Sequence, residues 1–296
     1  MLSILIPVFN YDIVALVKIL DKQLQHAKID YEILCLDDCS SDQTTVESNK
    51  EINQLPNVSF KISSTNDGRN KTRRKLAESA KYDWLLFIDA DVLPKSDHFI
   101  TNYLKLLESK HEALYGGFAY HHSPPNPQSS LRWKYGMTRE QVSASIRNQN
   151  PYKIIISANC LIRKSLFLEI NSKITEKGYG YDNYFAALLK ANNHNVFHLD
   201  NEVFHLGIEP NAVYLNKVKQ SVENLLKLHK TKKVTASSND LLIVFLKVKA
   251  YGLNHLFAFF YKNFKNLFER NLLSKTPSIK LLQFYKLSYI CYKDLN

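Results

Sequence analysis

Two acidic residues stand directly after a short apolar stretch of the chain. The stretch is Trp84–Ile88, and Asp89 and Asp91 follow it with one small residue between them. Such an apolar run of β-forming residues is typical of a buried strand in a parallel sheet. Ligands of open α/β sheets bind beyond the carboxyl ends of the strands, where Mg²⁺ or Mn²⁺ takes carboxylate oxygens together with substrate phosphates. The pattern predicts a metal–diphosphate site, and a solvated polar turn is the alternative interpretation.

The elements around this pair alternate between predicted strands and predicted helices. The strands are at residues 2–8, 31–36, 58–63 and 84–88, and the helices are at 12–27, 44–55 and 69–81. This order predicts a doubly wound, mostly parallel sheet. Polar residues follow three of the strands, at Asn10, at Asp37 with Asp38, and at Asp89 with Asp91. Because parallel strands end at one edge of a sheet, these groups are expected to share a site.

Each of these polar groups also has an ordinary structural interpretation. Asp38, Ser40 or Ser41 can cap the helix that follows them. Arg73 and Arg74 can be solvated surface charges of a basic helix, or they can contact a diphosphate, because an arginine fork matches phosphate geometry. These alternatives stay open at the level of the residues themselves.

Length and charge restrict the class of protein. The chain has 296 residues and a formal net charge of +11, which favours anionic partners such as a nucleotide, nucleic acid or an acidic membrane face. Nucleic acid is not expected, since acidic strand ends without a metal would repel phosphate. The four cysteines show no metal-ligand spacing, which favours a reducing, cytoplasmic setting. We expect neither a signal peptide at the N-terminus nor a bilayer-spanning apolar run.

The middle of the chain contains a strand predicted at residues 113–118 and a long polar stretch at 121–150. Long irregular loops are often functional lids, so this stretch could cover an acceptor, and a solvated insertion is the alternative. The stretch contains four basic residues that would suit an anionic acceptor or a lipid phosphate: Arg132, Lys134, Arg139 and Arg147.

The C-terminal part differs in composition from the rest. A helix is predicted at 211–230 and a linker at 231–238, and from Leu241 onward apolar and aromatic runs are broken by lysines and one arginine. This pattern predicts amphipathic helices on an anionic membrane surface. A helical pair that packs on the catalytic domain or on a second copy is the alternative.

Four blocks along the chain carry a resemblance to a known family. They are residues 2–10, residues 36–42, Asn66-x-Gly68 followed by Arg73, and Phe87-Ile88-Asp89-Ala90-Asp91. In this order they resemble the inverting family 2 glycosyltransferases, which read Ser-Ile-Ile-Ile-Pro-Val-Tyr-Asn, Val-Asp-Asp-Gly-Ser-Thr-Asp, Asn-x-Gly…Ala-Arg-Asn and Asp-x-Asp. The resemblance covers residues 1–210 and departs at Cys39 and Arg74, where the family has Gly and Asn.

The resemblance implies the α/β class with a GT-A-type, Rossmann-like and mostly parallel sheet flanked by helices, followed by a C-terminal helical extension. It also implies a nucleotide-sugar site. By the resemblance, Asp38 would contact the nucleobase of a nucleotide sugar, which is expected to be uracil, and Pro7 and Phe9 would line the base pocket. Arg73 would lie near the diphosphate, and Asp89 would face the ribose or the metal.

The metal implied by the resemblance is Mn²⁺ or Mg²⁺. Asp91 would be its ligand, with Asp89 beside it. Related enzymes place a metal-binding histidine after the glycine-rich acidic motif, at about the position of His205, while His198 is the alternative and a core role for His205 also stays open. A phosphatase of the haloacid-dehalogenase type is not expected, since its nucleophilic Asp lies on the N-terminal strand.

An acceptor site is implied by two further segments. Residues 178–183 are similar to the family motif Gly-x-Gly-x-Glu-Asp, whose second acid is usually the base that an inverting transfer requires. That position is Asn183 here, so Asp182 is the predicted base, or alternatively an N-cap of the helix at 184–191. Residues that would contact the acceptor are Asn159, in a segment similar to the family's Gly-Gly-Asn, Tyr181 and Asn183.

These observations predict a catalytic domain at 1–230, with a nucleotide-sugar half at 1–110 and an acceptor half at 111–230, and a basic amphipathic tail at 231–296. The predicted activity is metal-dependent, inverting sugar transfer from a UDP-sugar to a glycan or lipid-linked acceptor in the synthesis of cell-surface polysaccharide or glycolipid. The predicted location is the cytoplasm, at the inner face of its membrane. The alternative is a degenerate protein of the same fold that binds nucleotide or glycan without turnover.

Overall fold

The computed structural model describes residues 1–175, 178–235 and 239–296. The chain divides into two compact units. The first unit consists of residues 1–119, 142–177 and 192–207, and the second of residues 120–141, 178–191 and 208–296. The domain boundaries proposed from the sequence stay a prediction.

A seven-stranded sheet forms the centre of the first unit. The strands of the described chain are β1 Leu2–Val8, β2 Tyr31–Asp37, β3 Val58–Ile62, β4 Trp84–Ile88, β5 Val92–Pro94, β6 Ala113–Tyr115, β7 Phe118–Ala119, β8 Asn159–Arg163, β9 Val196–His198 and β10 Val203–His205. The central sheet has the order β3-β2-β1-β4-β8-β6-β9, and β8 alone is antiparallel to both of its neighbours. The prediction of a mostly parallel sheet is therefore confirmed.

The helices of the described chain are α1 Val14–Ala27, α2 Gln43–Lys50, α3 Arg69–Ser79, α4 Phe99–Leu104, α5 Ser130–Arg139, α6 Ala144–Arg147, α7 Lys164–Ser172, α8 Asp182–Ala191, α9 Asn211–Lys230, α10 Asp240–Ala250, α11 Asn254–Leu272 and α12 Ile279–Leu295. In α1, the apolar periodicity of the sequence becomes a buried face that includes Leu16, Leu20 and Leu24. Helix α2 begins after Asp42, whose carboxylate accepts hydrogen bonds from the backbone N–H groups of Thr44 and Thr45.

The predicted strand at 113–118 is interrupted. Strand β6 ends at Tyr115 in the central sheet, whereas β7 begins at Phe118 and belongs to a separate three-stranded sheet of order β5-β10-β7. Two glycines make this change possible. Gly117 has φ +87°, and a Cβ on Gly116 would come within 2.4 Å of the carbonyl oxygen of Asn201.

The interpretation of residues 121–150 as an irregular loop is wrong, because α5 and α6 lie within it. Two of its four basic residues are also buried. In the first unit, the guanidinium of Arg147 donates to the carbonyl oxygens of Tyr115 and Leu199 at 3.1 and 2.9 Å. In the second unit, Arg132 donates to Glu140 at 2.9 Å. These arginines hold backbone and side chains together, so they are not available to an anionic acceptor.

The C-terminal helices belong to the second unit, where α12 packs on α9 and both α10 and α11 pack on α12. Asp294 of α12 pairs with Lys230 at 3.2 Å and with Lys249 of α10 at 2.6 Å. Glu269 of α11 accepts from Tyr285 at 2.6 Å and pairs with Lys219 of α9 at 2.8 Å. The predicted helical extension is thus present, and part of the predicted linker, at 236–238, lies outside the described residues.

The described helices were compared with the length and apolar composition that a bilayer span requires. None of them is by itself long and apolar enough to cross a bilayer. One pair, α10 with α11, passes the test of length and composition together, but its two helices are bent by 112°.

His198 lies in the core of the first unit. Its Nδ1 accepts from Arg147 at 2.9 Å and its Nε2 donates to the carbonyl oxygen of Pro151 at 2.7 Å. Both ring nitrogens are therefore used inside the protein, which excludes His198 as the alternative metal ligand. Burial, together with the charge of Arg147, lowers the pKa of this imidazole from 6.5 to about 4, although the bond to Pro151 acts in the opposite direction.

This lowered pKa predicts a loss of stability in acid. As the pH falls below 6.5, the unfolded chain binds a proton at His198 before the folded protein does, so the free energy of unfolding should fall by roughly 3 kcal/mol down to pH 4. Urea unfolding at several pH values measures this slope. His198→Gln should remove that part of the slope, whereas His122→Gln, a change at an exposed histidine, should retain it. An unchanged slope in His198→Gln would contradict the assignment.

Candidate active site

The end of β2 is tied to the start of α3. Asp38, immediately after β2, accepts hydrogen bonds from the backbone N–H groups of Asp67 and Gly68, both at 2.8 Å. Gly68 precedes α3 with φ +80°, a conformation that favours glycine. Asp38 is 5% exposed, and its carboxylate therefore positions the loop before α3. The N-cap of α2 is Asp42, and not Asp38 as in the alternative interpretation.

The end of β1 is tied to the same edge of the sheet. The side-chain oxygen of Asn10 accepts from the N–H groups of Ser41 and Asp42 at 2.8 and 3.0 Å. Two of the predicted base-pocket residues lie nearby in the chain: Pro7 is partly exposed and Phe9 is 51% exposed. The ends of β1 and β2 are thus joined, as the sequence predicted.

Asp89, at the end of β4, is held by two arginines of α3. Its Oδ1 accepts from Arg73 at 2.5 Å and its Oδ2 accepts from Arg69 at 2.6 Å. The same arginines donate to Ser157, at its carbonyl oxygen and its hydroxyl respectively. Burial by itself raises the pKa of the Asp89 carboxyl, but the charges of Arg69 and Arg73 outweigh it and the net pKa is lowered. Asp89 is therefore ionised at neutral pH.

Asp91 lies next to His205. Strand β10 pairs antiparallel with β5, and this register sets His205 opposite Val92. The distance between Asp91 Oδ2 and His205 Nε2 is 3.3 Å, and the imidazole stacks on Phe118 with a centroid distance of 4.9 Å. A Cβ at Gly207 would come within 2.1 Å of Asp91 Oδ2, so the carboxylate fits only against a glycine.

The Asp91–His205 pair is suited to hold part of a divalent cation's shell. Two atoms that each lie about 2.1 Å from an octahedral ion at a right angle are about 3.0 Å apart, close to the 3.3 Å observed between the Asp91 and His205 atoms. Carboxylate oxygen and imidazole nitrogen are both ligands of Mn²⁺. In the described part of the chain, no group of three His, Cys, Asp or Glu residues could hold a metal ion.

Two residues near this site were not selected from the sequence. Arg69 is paired with Asp89 together with Arg73. The sequence feature that indicates this is the spacing of four residues, which sets the two arginines on one face of a helix. Tyr11 is the other. Burial raises the pKa of its phenol, and the negative charges of Asp91 and Asp12 add to that rise. The sequence feature that could have indicated Tyr11 is its position directly after Asn10 at the end of a predicted strand.

The predicted acceptor residues fall in both units. Asn159 belongs to the first unit and is fully buried, with its side chain bonded to Tyr103, Gly117 and Asn201 at 2.6, 3.0 and 2.8 Å. Asn159 therefore stabilises the end of β6 through these hydrogen bonds. The resemblance had implied that Asn159 contacts the acceptor. Tyr181, in the second unit, is only 4% exposed.

Asp182 is the first residue of α8 and is half-buried. An acidic residue in the first turn interacts favourably with the helix dipole. Gly180 precedes it with φ +93°, and a Cβ there would come within 2.5 Å of Ser221 Oγ on α9. Asn183 donates to the carbonyl oxygen of Gly180 at 3.2 Å and accepts from Asn239 at 3.3 Å. The start of α8 is thus held closely, with the carboxylate of Asp182 at its N-terminus.

The model of the family "Glycosyl transferase family 2" matches residues 3–170, which is more than half of the chain. The chain therefore belongs to glycosyl transferase family 2. A relative in Haemophilus influenzae, described as an uncharacterized glycosyltransferase, is 29% identical over 141 residues. That match covers 43% of this chain and 45% of the relative, so the chain spans less than half of the relative's length.

Two solved structures share the fold. S. aureus TarS 1–349 in complex with UDP-GlcNAc is 17% identical, with a TM-score of 0.52, and the match covers 96% of this chain and 78% of that one. Mannosyltransferase PcManGT from Pyrobaculum calidifontis in complex with GDP-Man and Mn²⁺ is 11% identical, with a TM-score of 0.52, and the match covers 99% of this chain and 86% of that one. The predicted GT-A-type fold is thereby confirmed.

The two arginines on Asp89 offer a matched test of the ion-pair geometry. Arg73 has 7% of its side chain exposed and Arg69 has 43%. Arg73→Met should lower the free energy of unfolding by about 3 kcal/mol, because it removes the buried arginine from a carboxylate that is itself only 18% exposed. Arg69→Met should cost less than about 1 kcal/mol, because exposed pairs contribute little.

Urea unfolding of the single variants and of Arg73→Met with Asp89→Asn measures the difference. The double variant should recover part of the loss, because the unpaired charge is gone. Equal losses in Arg69→Met and Arg73→Met would contradict the ranking by burial.

Proposed function

We propose that this protein is a metal-dependent, inverting glycosyltransferase that moves a sugar from a nucleotide sugar to a hydroxyl group. The preferred donor is a UDP-sugar, and the acceptor is a glycan or a lipid-linked saccharide in the synthesis of cell-surface polysaccharide or glycolipid. The observation that carries the proposal is the arrangement at the end of β4, where the Asp91–His205 pair follows a carboxylate that Arg69 and Arg73 already neutralise.

The charges of this arrangement suit a diphosphate that arrives with a cation. Asp89 and Asp91 carry two negative charges and Arg69 and Arg73 carry two positive charges, so the four side chains have no formal net charge. A divalent cation would add two positive charges, which equals the charge of the diphosphate in a nucleotide sugar. Binding of donor and cation together would then leave the site neutral, whereas either one alone would leave it charged.

In the proposed mechanism, Asp91 and His205 would hold the cation, and Arg69 and Arg73 would orient the diphosphate from α3. When bound, Mn²⁺ or Mg²⁺ offsets the charge that develops on the leaving diphosphate. Support for a nucleotide-sugar donor comes from family membership and from the ligands UDP-GlcNAc and GDP-Man in proteins of the same fold. On the acceptor side, Asp182 would take the proton of the attacking hydroxyl. The new glycosidic bond forms as the bond between the sugar and the diphosphate breaks, and the nucleoside diphosphate leaves with that electron pair.

One observation favours a second candidate function, that of a nucleotide- or glycan-binding protein without turnover. Asn183 occupies the position where the family resemblance implies the base, and its amide is bonded to Gly180 and Asn239. Asn183 therefore has a structural role and no proton to accept at neutral pH. Measurement of product from a panel of UDP- and GDP-sugars separates the candidates, because the binding protein would form complexes but release no product.

The metal-ligand pair can be tested in two ways, by removing the Asp91 carboxylate and by displacing it. Asp91→Asn should abolish the thermal stabilisation by UDP with Mn²⁺ and lower transfer by about a hundredfold or more. Gly207→Ala should have the same effect, because its Cβ would displace the Asp91 carboxylate. Differential scanning fluorimetry with and without Mn²⁺ and a transfer assay measure both.

Asp97→Asn serves as the control, because Asp97 is an exposed acid of the same unit. It should behave like the wild type in both assays. Full Mn²⁺-dependent stabilisation in Asp91→Asn would remove the metal assignment.

The base assignment has its own test. Asp182→Asn should lower the rate of transfer by about a hundredfold to ten-thousandfold while donor affinity stays unchanged, because general bases contribute in that range. Asn183→Asp is the matched variant, since it restores the family's acid. Single-turnover kinetics and donor titration measure both effects. If Asn183→Asp raised the rate in an Asp182→Asn background to the wild-type level, position 183 would be the base position and the assignment to Asp182 would fail.

A further inference from the structure

Helix α11 presents an apolar stripe on its outer face. The stripe consists of Tyr251 and Leu253 in the turn before the helix and of Leu256, Phe259, Phe264 and Leu267 on the helix. The exposed fractions of these residues are 80, 45, 49, 55, 40 and 61% in that order. Steps of three, five and three residues within the helix keep the four helical residues on one side. Contiguous exposed apolar side chains of this size mark an interaction surface.

The opposite face of α11 fixes the direction of the stripe. Tyr261 is buried there against Tyr285 and Tyr289 of α12, with ring centroids 5.4 and 4.9 Å apart. Phe257 lies against Phe284 of α12 at 5.6 Å. Because α11 cannot rotate without breaking this aromatic packing, the apolar stripe is held outward.

Positive charge accompanies the apolar stripe. Residues 239–296 contain nine Lys and Arg and three Asp and Glu. Asp294 and Glu269 are already paired with lysines. Lys262 and Arg270 are exposed and follow Phe259 and Leu267 by three residues each. The stripe therefore has a basic border.

We propose that the apolar stripe of α11 docks on an anionic lipid bilayer, with the helix lying in the plane of the interface. Apolar side chains would enter the boundary between headgroups and acyl chains, and Lys262 and Arg270 would contact the anionic headgroups. The helix has 19 residues and would cover about 28 Å of the surface. The inference does not depend on the proposed transferase activity, although a lipid-linked acceptor would be presented at the same surface.

Charge favours lipid over a second copy of the chain. A twofold dimer through the stripe would bring the same basic border of both copies together, and like charges would repel across the seam. An anionic bilayer compensates these charges. The helix lies on the membrane in this proposal and does not cross it, which agrees with the absence, among the described residues, of a single helix that could span a bilayer.

Co-sedimentation with vesicles tests the proposal. The full chain should pellet with vesicles of equal phosphatidylglycerol and phosphatidylcholine and remain soluble with phosphatidylcholine alone. Leu256→Ser with Phe259→Ser and Leu267→Ser should weaken binding at least about tenfold, because the apolar contact is removed. Lys262→Gln with Arg270→Gln should weaken it roughly fivefold for each cation.

The matched control is Ile146→Ser with Val213→Ser, which removes apolar residues that are 56 and 45% exposed outside the stripe. The control should bind as the wild type does. Thermal melting of all variants should match the wild type, because none of the changed side chains is buried.

A second measurement reports contact directly. The emission of Phe259→Trp should be quenched by brominated phosphatidylglycerol, whereas that of Ile146→Trp should not. Three results would overturn the proposal: no binding to anionic vesicles, resistance of the bound protein to carbonate extraction, as for a spanning helix, or a lipid-free dimer that the serine triple variant converts to a monomer.

Discussion

The paired charge of Asp89 is the constraint on which the candidate site depends. This carboxylate ends a strand whose residues are all buried, and it stays ionised because Arg69 and Arg73 approach it from α3. Those arginines can reach it only if α3 begins at the right place. Asp38 fixes that start through the N–H groups of Asp67 and Gly68. A displacement at the end of β2 would therefore reach Asp89 through α3.

The neighbouring carboxylate depends on a different part of the structure. Asp91 meets His205 across 114 residues of sequence, because β10 returns antiparallel to β5 in the small sheet. The glycines at 116 and 117 let the chain leave the central sheet for this second one, and Gly207 leaves room for the carboxylate. The two acids of one short motif thus have separate supports. Asp89 is paired with two arginines of α3, and Asp91 is placed beside His205 by the pairing of β10 with β5.

The second unit combines a closely held helix start with an outward apolar surface. Gly180 and Asn183 fix the beginning of α8, where Asp182 stands. Asp294 and Glu269 of the C-terminal helices form ion pairs with Lys230, Lys249 and Lys219. These two acids therefore do not neutralise Lys262 and Arg270 on the outer face of α11.

The sequence predicted the α/β class, the mostly parallel sheet, the alternation of the first four strands with helices and the polar residues at the strand ends, because buried strands and helix faces impose local periodicities. It also determined membership of family 2 through Asp38, Arg73, Asp89 and Asp91. Three features became visible only in the folded chain: the helices α5 and α6 within the stretch at 121–150, the internal hydrogen bonds of Asn159 and His198, and the second arginine, Arg69, on Asp89. The roles of Asn159, His198 and Arg69 depend on hydrogen-bond partners that are distant in the sequence. A local residue pattern does not predict which distant group will bond to a buried polar atom.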